Sequence, residues 1–243
     1  MTQSAEEQRL YLQAMGIPVW EVRQPHLLQN LPVADAVVVE SERESDVESP
    51  LAEAVVEPPT VLNWPDLQQQ VSNCTTCAAR QGRMQPILGA GSEQADLLIV
   101  GEMPNADEDR LAAPFVSASG QLLEGMLKAI GLSRQAVYLT HIVKCHLEEH
   151  RDPTPEELSA CQGFLLQQIK LVQPKAILLL GRIAAHACLQ VNTPLTQLRG
   201  EWFEFAATPL LVSYHPAYLL RKPSAKRLAW QDLKLLRARL QGE

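Results

Sequence analysis

The chain has 243 residues, 46% of them apolar and 20% charged, and a net charge of −7. That content can bury a core, so a wholly disordered protein is excluded. No apolar run reaches the roughly eighteen residues of a spanning helix, and Met1 to Arg9 is polar, which argues against a secretory signal.

The expectation is a cytoplasmic protein with no membrane contact. The five cysteines are then reduced, and spaced cysteines read as metal ligands or catalytic thiols rather than disulfides.

In chain order, the first element lies within residues 1–32. Leu10 and Ala14 stand four apart, with Tyr11 and Met15 offset by one. This spacing predicts one short amphipathic helix over Glu6 to Met15. Gly16 and Pro18 stop it, and Trp20 and Val22 alternate in an extended piece. So short a helix is marginal alone. It docks either on the rest of the chain or on another protein. Residues 33–60 read as an acidic linker. Between Asp35 and Glu57, eight acids stand against one base, Arg43, which accounts for the whole net charge. Such a composition cannot bury enough apolar surface to fold.

From residue 61 to 243 strand and helix patterns alternate. Asp96–Gly101, Val137–Val143, Ala176–Gly181 and Leu210–Ser213 are short apolar runs. They suit parallel strands covered on both faces. Helical patterns cover Gly120–Ile130, Pro155–Val172, Arg182–Gln190 and Ala225–Leu240, and Pro155 with Glu156 and Glu157 marks a helix start. The order predicts an α/β fold, a three-layer α/β/α sandwich on a short, mainly parallel sheet. Sites in such folds lie beyond the carboxyl ends of strands. Residues 221–239 carry seven bases and one acid, Asp232. The cluster either meets phosphate or forms a solvated helix face.

Cys74 and Cys77 form a C-x2-C pair, Cys145 follows a strand, and Cys161 lies in the next helix. Four such thiolates suit zinc or an iron–sulfur cluster. A redox pair or unrelated buried thiols are the alternatives. Cys188 sits in an apolar helix and reads as core.

The strand-end segments are Gly101-Glu102-Met103-Pro104-Asn105, Pro114-Phe115-Val116-Ser117-Ala118-Ser119-Gly120, Thr140-His141-Ile142-Val143-Lys144-Cys145 and Ser213-Tyr214-His215-Pro216. Together with the four cysteines, residues 64–240 resemble the iron–sulfur (family 4) uracil-DNA glycosylases. The resemblance implies a [4Fe–4S] cluster on Cys74, Cys77, Cys145 and Cys161, with zinc as the alternative, and DNA as partner. It implies that His215 donates to the departing base, with Glu102 beside it as a second catalytic candidate. Gly101, Pro104, Asn105, Phe115 and His141 would form the base pocket, with Phe115 stacking on the base. Tyr218, Leu219 and Leu220 would enter DNA in place of the flipped base, with Arg221 on phosphate. A bacterial-type, nucleoid-associated protein is the corresponding location.

The chain also departs from that pattern. GExPG becomes Gly101-Glu102-Met103-Pro104-Asn105, and VGRAG becomes Val116-Ser117-Ala118-Ser119-Gly120. His141 replaces the Asn of TNVVKC. An Asn amide donates to uracil O4 and accepts from N3–H side by side, whereas the imidazole nitrogens diverge. Losing such a contact can reduce selectivity by a factor on the order of 10⁴. After Cys145, Arg-Pro-Pro gives way to His146-Leu147-Glu148-Glu149, which places acids where DNA phosphate would lie.

Residues 12–25 resemble the N-terminal peptide of the psi subunit of bacterial DNA polymerase III, of pattern LQxxGIxxWxxRxP. That resemblance implies docking on the clamp loader and association with the chi subunit, with Leu12, Met15, Ile17, Trp20 and Val22 as anchors. The preferred expectation is a psi-like replication adaptor whose glycosylase-like body has weakened or lost uracil excision. The alternatives are an active DNA glycosylase, on uracil or another base, and a metal-stabilised nucleic-acid-binding domain with neither role.

Overall fold

The structure is a computed structural model and describes residues 63–148 and 151–242. The N-terminal helix, the acidic linker and the anchors Leu12, Met15, Ile17, Trp20 and Val22 lie outside the described residues. The described part is a three-layer α/β/α sandwich on one six-stranded sheet.

The strands are β1 (Ala90–Gly91), β2 (Leu97–Gly101), β3 (Tyr138–His141), β4 (Ala176–Leu180), β5 (Trp202–Phe205) and β6 (Thr208–Ser213), in the spatial order β1-β3-β2-β4-β6-β5. The four inner strands are parallel. They are the apolar runs of the sequence, and β2 and β4 are buried at every residue. Both edges pair antiparallel. The sequence reading missed them. β1 has two residues and no large side chain. β5 is half-exposed throughout, so neither shows the continuous apolar run of a central strand.

Alternation along the strands divides the core in two. Leu98, Val100, Ile177, Leu179, Leu210 and Val212 face one side. Leu97, Ile99, Leu178, Leu180 and Leu211 face the other. Helix α4 (Pro155–Val172) covers the first side through Leu165 and Ile169. Its start is the one read from sequence. Thr154 and Glu157 form a capping box, with Pro155 in the first turn. Helices α3 (Ala118–Ala129) and α8 (Lys226–Gln241) cover the second side through Leu123, Met126, Leu233 and Leu236.

Five further helices complete the layers. In α1 (Trp64–Ser72), Asn63 caps the start, and Leu67 and Val71 pack with Leu88 and Phe164. The others are α2 (Ala106–Leu111), α5 (Arg182–Leu189), α6 (Leu195–Leu198) and α7 (Pro216–Arg221). Helices α2, α6 and α7 are too short to show a helical stripe in sequence, and the sequence reading passed over that of α1, Trp64, Leu67 and Val71.

Strand register sets the site. Gly101 stands beside His141, Val100 beside Leu179, and Leu180 beside Ser213. The carboxyl ends of four strands thus form one row. Behind that row, Asp232 is wholly buried. It accepts from Ser213 Oγ at 2.6 Å and from both Nε and Nη2 of Arg199. Burial raises the Asp232 pKa, and Ser213 and Arg199 oppose the rise. Removing one partner of a buried pair strands the other. Asp232→Ala is therefore expected to cost about 3–5 kcal/mol in urea unfolding. The exposed pair Lys175–Asp96 at 2.9 Å should cost at most about 1 kcal/mol when Asp96 is replaced by Ala. Equal losses would contradict this ranking.

Candidate active site and cysteine cluster

Each strand end contributes one group to a cleft of about 640 Å³. Glu102 and His141 line it from β2 and β3, Gly181 from β4, and His215 from β6. Pro104, Asn105 and Arg221 also line it.

Gly101 is required by close approach. A Cβ there would stand 2.5 Å from His141 Nδ1 and 2.7 Å from Phe115 Cζ. Glu102 turns its carboxylate to a neighbouring helix. Its Oε1 accepts from the Ile183 amide at 2.9 Å, in the first turn of α5. The residue at the N-cap of that helix, Gly181, offers no side-chain cap. Glu102 supplies the missing acceptor from another element. Burial raises its pKa, against the Ile183 amide and the Arg182 charge.

Asn105 also turns away from a base-reading role. It is the N-cap of α2, and its Oδ1 accepts from the amides of Asp107 and Glu108 at 2.9 and 3.0 Å. The replaced glycine is thus a helix cap. The pair Asn105 and Glu108, three apart, is a capping-box signature that the sequence reading passed over. Pro104 is tied to the cysteine-bearing segment, its carbonyl lying 3.0 Å from His146 Nδ1.

Glu108 was not anticipated and is central to the geometry. It is buried. Its Oε1 accepts from the Phe115 amide at 2.6 Å, and its Oε2 accepts from the Asn105 amide at 3.0 Å. Oε2 also lies 3.2 Å from His141 Nε2. The His141 N–H is not aligned along that line, and both ring nitrogens are buried without a hydrogen-bond partner. Burial alone would raise the Glu108 pKa. His141 and the amides of Asn105 and Phe115 outweigh it and hold the pKa below the usual carboxylate value.

Phe115 is 1% exposed. Its φ of 53° is uncommon for an aromatic residue. The amide bond to Glu108 and the bond from Arg134 Nη1 to its carbonyl at 2.9 Å hold it there. A Cβ at Gly120 would collide with that carbonyl, so glycine allows α3 to approach. The Phe115 ring lies between two imidazoles. Its centroid is 4.8 Å from that of His141 and 5.9 Å from that of His215.

His215 caps α7. Its Nδ1 accepts from the Ala217 amide at 3.2 Å, which leaves the proton on Nε2. Burial, followed by the His141 charge, pushes its pKa down to about 4, against Glu108. The ring is therefore a neutral N–H donor at pH 7.

The proposed DNA-entering residues separate. Leu219 is 1% exposed and packs in the core. It cannot enter DNA, because successive residues of α7 point to different faces. Tyr218 stacks on Tyr214 with centroids 5.1 Å apart. Leu220 is 43% exposed, and Arg221 is exposed at the cleft.

Cys145 and Cys161 are buried, and Cys74 and Cys77 are half-buried. Cys145 and Cys161 belong to one core cluster, and Cys77 packs against it. Among the described residues, no three His, Cys, Asp or Glu side chains converge as a single metal ion needs. Arg83, also unanticipated, joins two of the four segments. Its Nη1 donates to Cys145 Sγ and its Nη2 to the Cys74 carbonyl, both at 2.8 Å. Cys188 is buried in the core, as read from sequence.

Residues 88–234 match the family model of the uracil DNA glycosylase superfamily. The chain is 34% identical over 177 residues to a type-4 uracil-DNA glycosylase of Archaeoglobus fulgidus, covering 70% of this chain and 89% of that protein. It is 32% identical over 181 residues to one of Thermotoga maritima, covering 73% and 94%. A type-5 uracil-DNA glycosylase of Pyrobaculum aerophilum is 31% identical over 152 residues, covering 56% and 67%. The family match does not reach residues 12–25, and nothing in these comparisons supports the psi resemblance.

The lowered pKa of Glu108 gives a signed expectation. Its stabilising contribution is complete above the usual carboxylate pKa and is lost as pH falls through its depressed folded value. Glu108→Gln should lower the urea midpoint at about pH 7 and flatten its decline toward about pH 3. A variant whose midpoint falls with acid as steeply as wild type would contradict this assignment.

Proposed function

The chain belongs to the uracil-DNA glycosylase superfamily, and from that premise we propose that it is a DNA-repair protein in which uracil excision is weakened at His141. No helix among the described residues is long and apolar enough to cross a membrane. The observation that carries the proposal is the placement of His141. Its ring lies tilted against Phe115, and its Nε2 lies 3.2 Å from Glu108 Oε2.

Excision requires the base to leave the duplex and enter the pocket. Breaking the C–N bond leaves negative charge on the base, largely at O2. A fixed donor there lowers the barrier. His215 suits that task, since it is neutral, its Nδ1 is occupied by Ala217, and its Nε2–H is the remaining donor. Glu102 is committed to α5 and acts by holding the pocket loop. Reading uracil needs a donor and an acceptor side by side. His141 offers neither pairing, because its nitrogens diverge and both are buried.

The same proposal assigns Cys74, Cys77, Cys145 and Cys161 to a [4Fe–4S] cluster. An all-thiolate donor set suits iron–sulfur chemistry. The same four thiolates would also suit tetrahedral zinc, and the iron content of the purified chain separates the two. When bound, the cluster would supply a structural tie between distant segments.

A second reading adds a psi-like adaptor role on the clamp loader and chi subunit of DNA polymerase III. It rests on the N-terminal sequence alone, the Trp20-centred peptide ahead of an acidic stretch. On this reading the full chain binds purified clamp loader and Trp20→Ala does not. Equal binding by both proteins, or by neither, would overturn it.

For excision, the test is uracil release from single-stranded and duplex DNA. Wild type should be slow. His141→Asn should raise release by about 10-fold or more. In that background, His215→Ala should lower it by about 10²–10³. Rapid wild-type release that falls on His141→Asn would overturn the proposal.

A further inference from the structure

A base that stacks on Phe115 needs a free face of that ring, and the structure leaves none. Phe115 is 1% exposed. The cleft is lined by His141 and His215 but not by Phe115. Stacked and tilted ring pairs have their centroids about 4.5–7 Å apart. The His141 imidazole is 4.8 Å from Phe115 at an interplanar angle of 31°. It therefore stands at the distance a stacked base would take, between the cleft and the ring.

The three rings are held unequally. Phe115 is clamped through its backbone, by Glu108 Oε1 on its amide and Arg134 Nη1 on its carbonyl. His215 is anchored by the Ala217 amide on its Nδ1. His141 has no such tie. Both of its ring nitrogens are buried without a hydrogen-bond partner, which is a costly state for a polar group. Its backbone is fixed in β3 beside Gly101, so only the side chain can yield. Retreat toward β2 is closed, because Gly101 already lies against Nδ1 so closely that a Cβ there would stand 2.5 Å away. The cleft is the open volume beside it.

We propose that His141 is a built-in occupant of the stacking place on Phe115, so that the volume of the side chain at position 141, and not its hydrogen bonds alone, decides whether a flipped base reaches the ring. The inference deepens the base-pocket reading above and rests on it. A planar pyrimidine and the imidazole compete for one place. The imidazole must swing into the cleft before the base can stack.

The test compares uracil release from one single-stranded DNA by the full-length wild type, His141→Asn and His141→Ala. Alanine removes the ring and adds no group that can read a base, so it separates room from reading. Release by His141→Ala should exceed that of wild type by about 10-fold or more. In that background Phe115→Leu should cancel most of the gain, because the gain comes from uncovering the ring. Should His141→Ala not fold, His141→Ser takes its place, since it is also small and its hydroxyl can donate to Glu108. A small side chain no faster than wild type, beside a faster His141→Asn, would overturn this inference and leave impaired reading in place. A faster His141→Ala beside an unchanged His141→Asn would keep the occupant and overturn the reading. A gain that survives Phe115→Leu would overturn the occupant. No gain in any variant would overturn both.

Discussion

A buried carboxylate organises the pocket. Glu108 joins the start of α2, the backbone of Phe115 and the ring of His141. Each link has a reason. Asn105 and Glu108 close a capping box that starts a six-residue helix, which would be unstable alone. The Phe115 amide needs an acceptor where the chain turns through positive φ. The imidazole of His141, 1% exposed, places Nε2 at 3.2 Å from the same carboxylate. A carboxylate addressed from three directions stays charged in spite of burial, which is the direction of its pKa shift. With an asparagine at position 141, the same carboxylate would hold the helix and Phe115 but would face an amide instead of an imidazole.

The sheet divides two chemistries. The rings of Phe115 and Tyr214 belong to the core on one side. The sulfurs of Cys145, Cys161 and Cys188 belong to the core on the other. The segment that follows β3 passes from one to the other, from His141 at the cleft to Cys145 among the thiols, within five residues. A change at the thiols therefore has a short path to the pocket, along main-chain hydrogen bonds to the loop after β2.

Much of the fold was legible in sequence because burial on both faces leaves a plain mark. The inner strands β2 and β4 are apolar and buried at every position, β3 and β6 carry shorter apolar runs, and α4 begins and ends where Pro155 and Val172 indicate. Edge strands leave no such mark. β5 has no fully buried side chain, and β1 contributes backbone alone. The site was legible by position along the chain and illegible by direction. Leu219 lies in the segment expected to meet DNA, yet the turn of α7 points it inward. Asn105 reads as a lost glycine until its side chain is seen on two amides. Arg83 and Glu108 look like ordinary surface charges in sequence. Their roles arise from contacts with residues far along the chain or across a turn, which no local pattern encodes.

The central claim is that this pocket no longer distinguishes uracil by paired hydrogen bonds. The most direct measurement is the affinity of the intact protein for two otherwise identical single-stranded DNAs, one with uracil and one with cytosine at the same position, at one salt concentration. Affinities within about 10-fold of each other are expected, since phosphate contacts are common to both and base reading is impaired. A preference for uracil of about 10³-fold or more would mean that His141 reads the base after all.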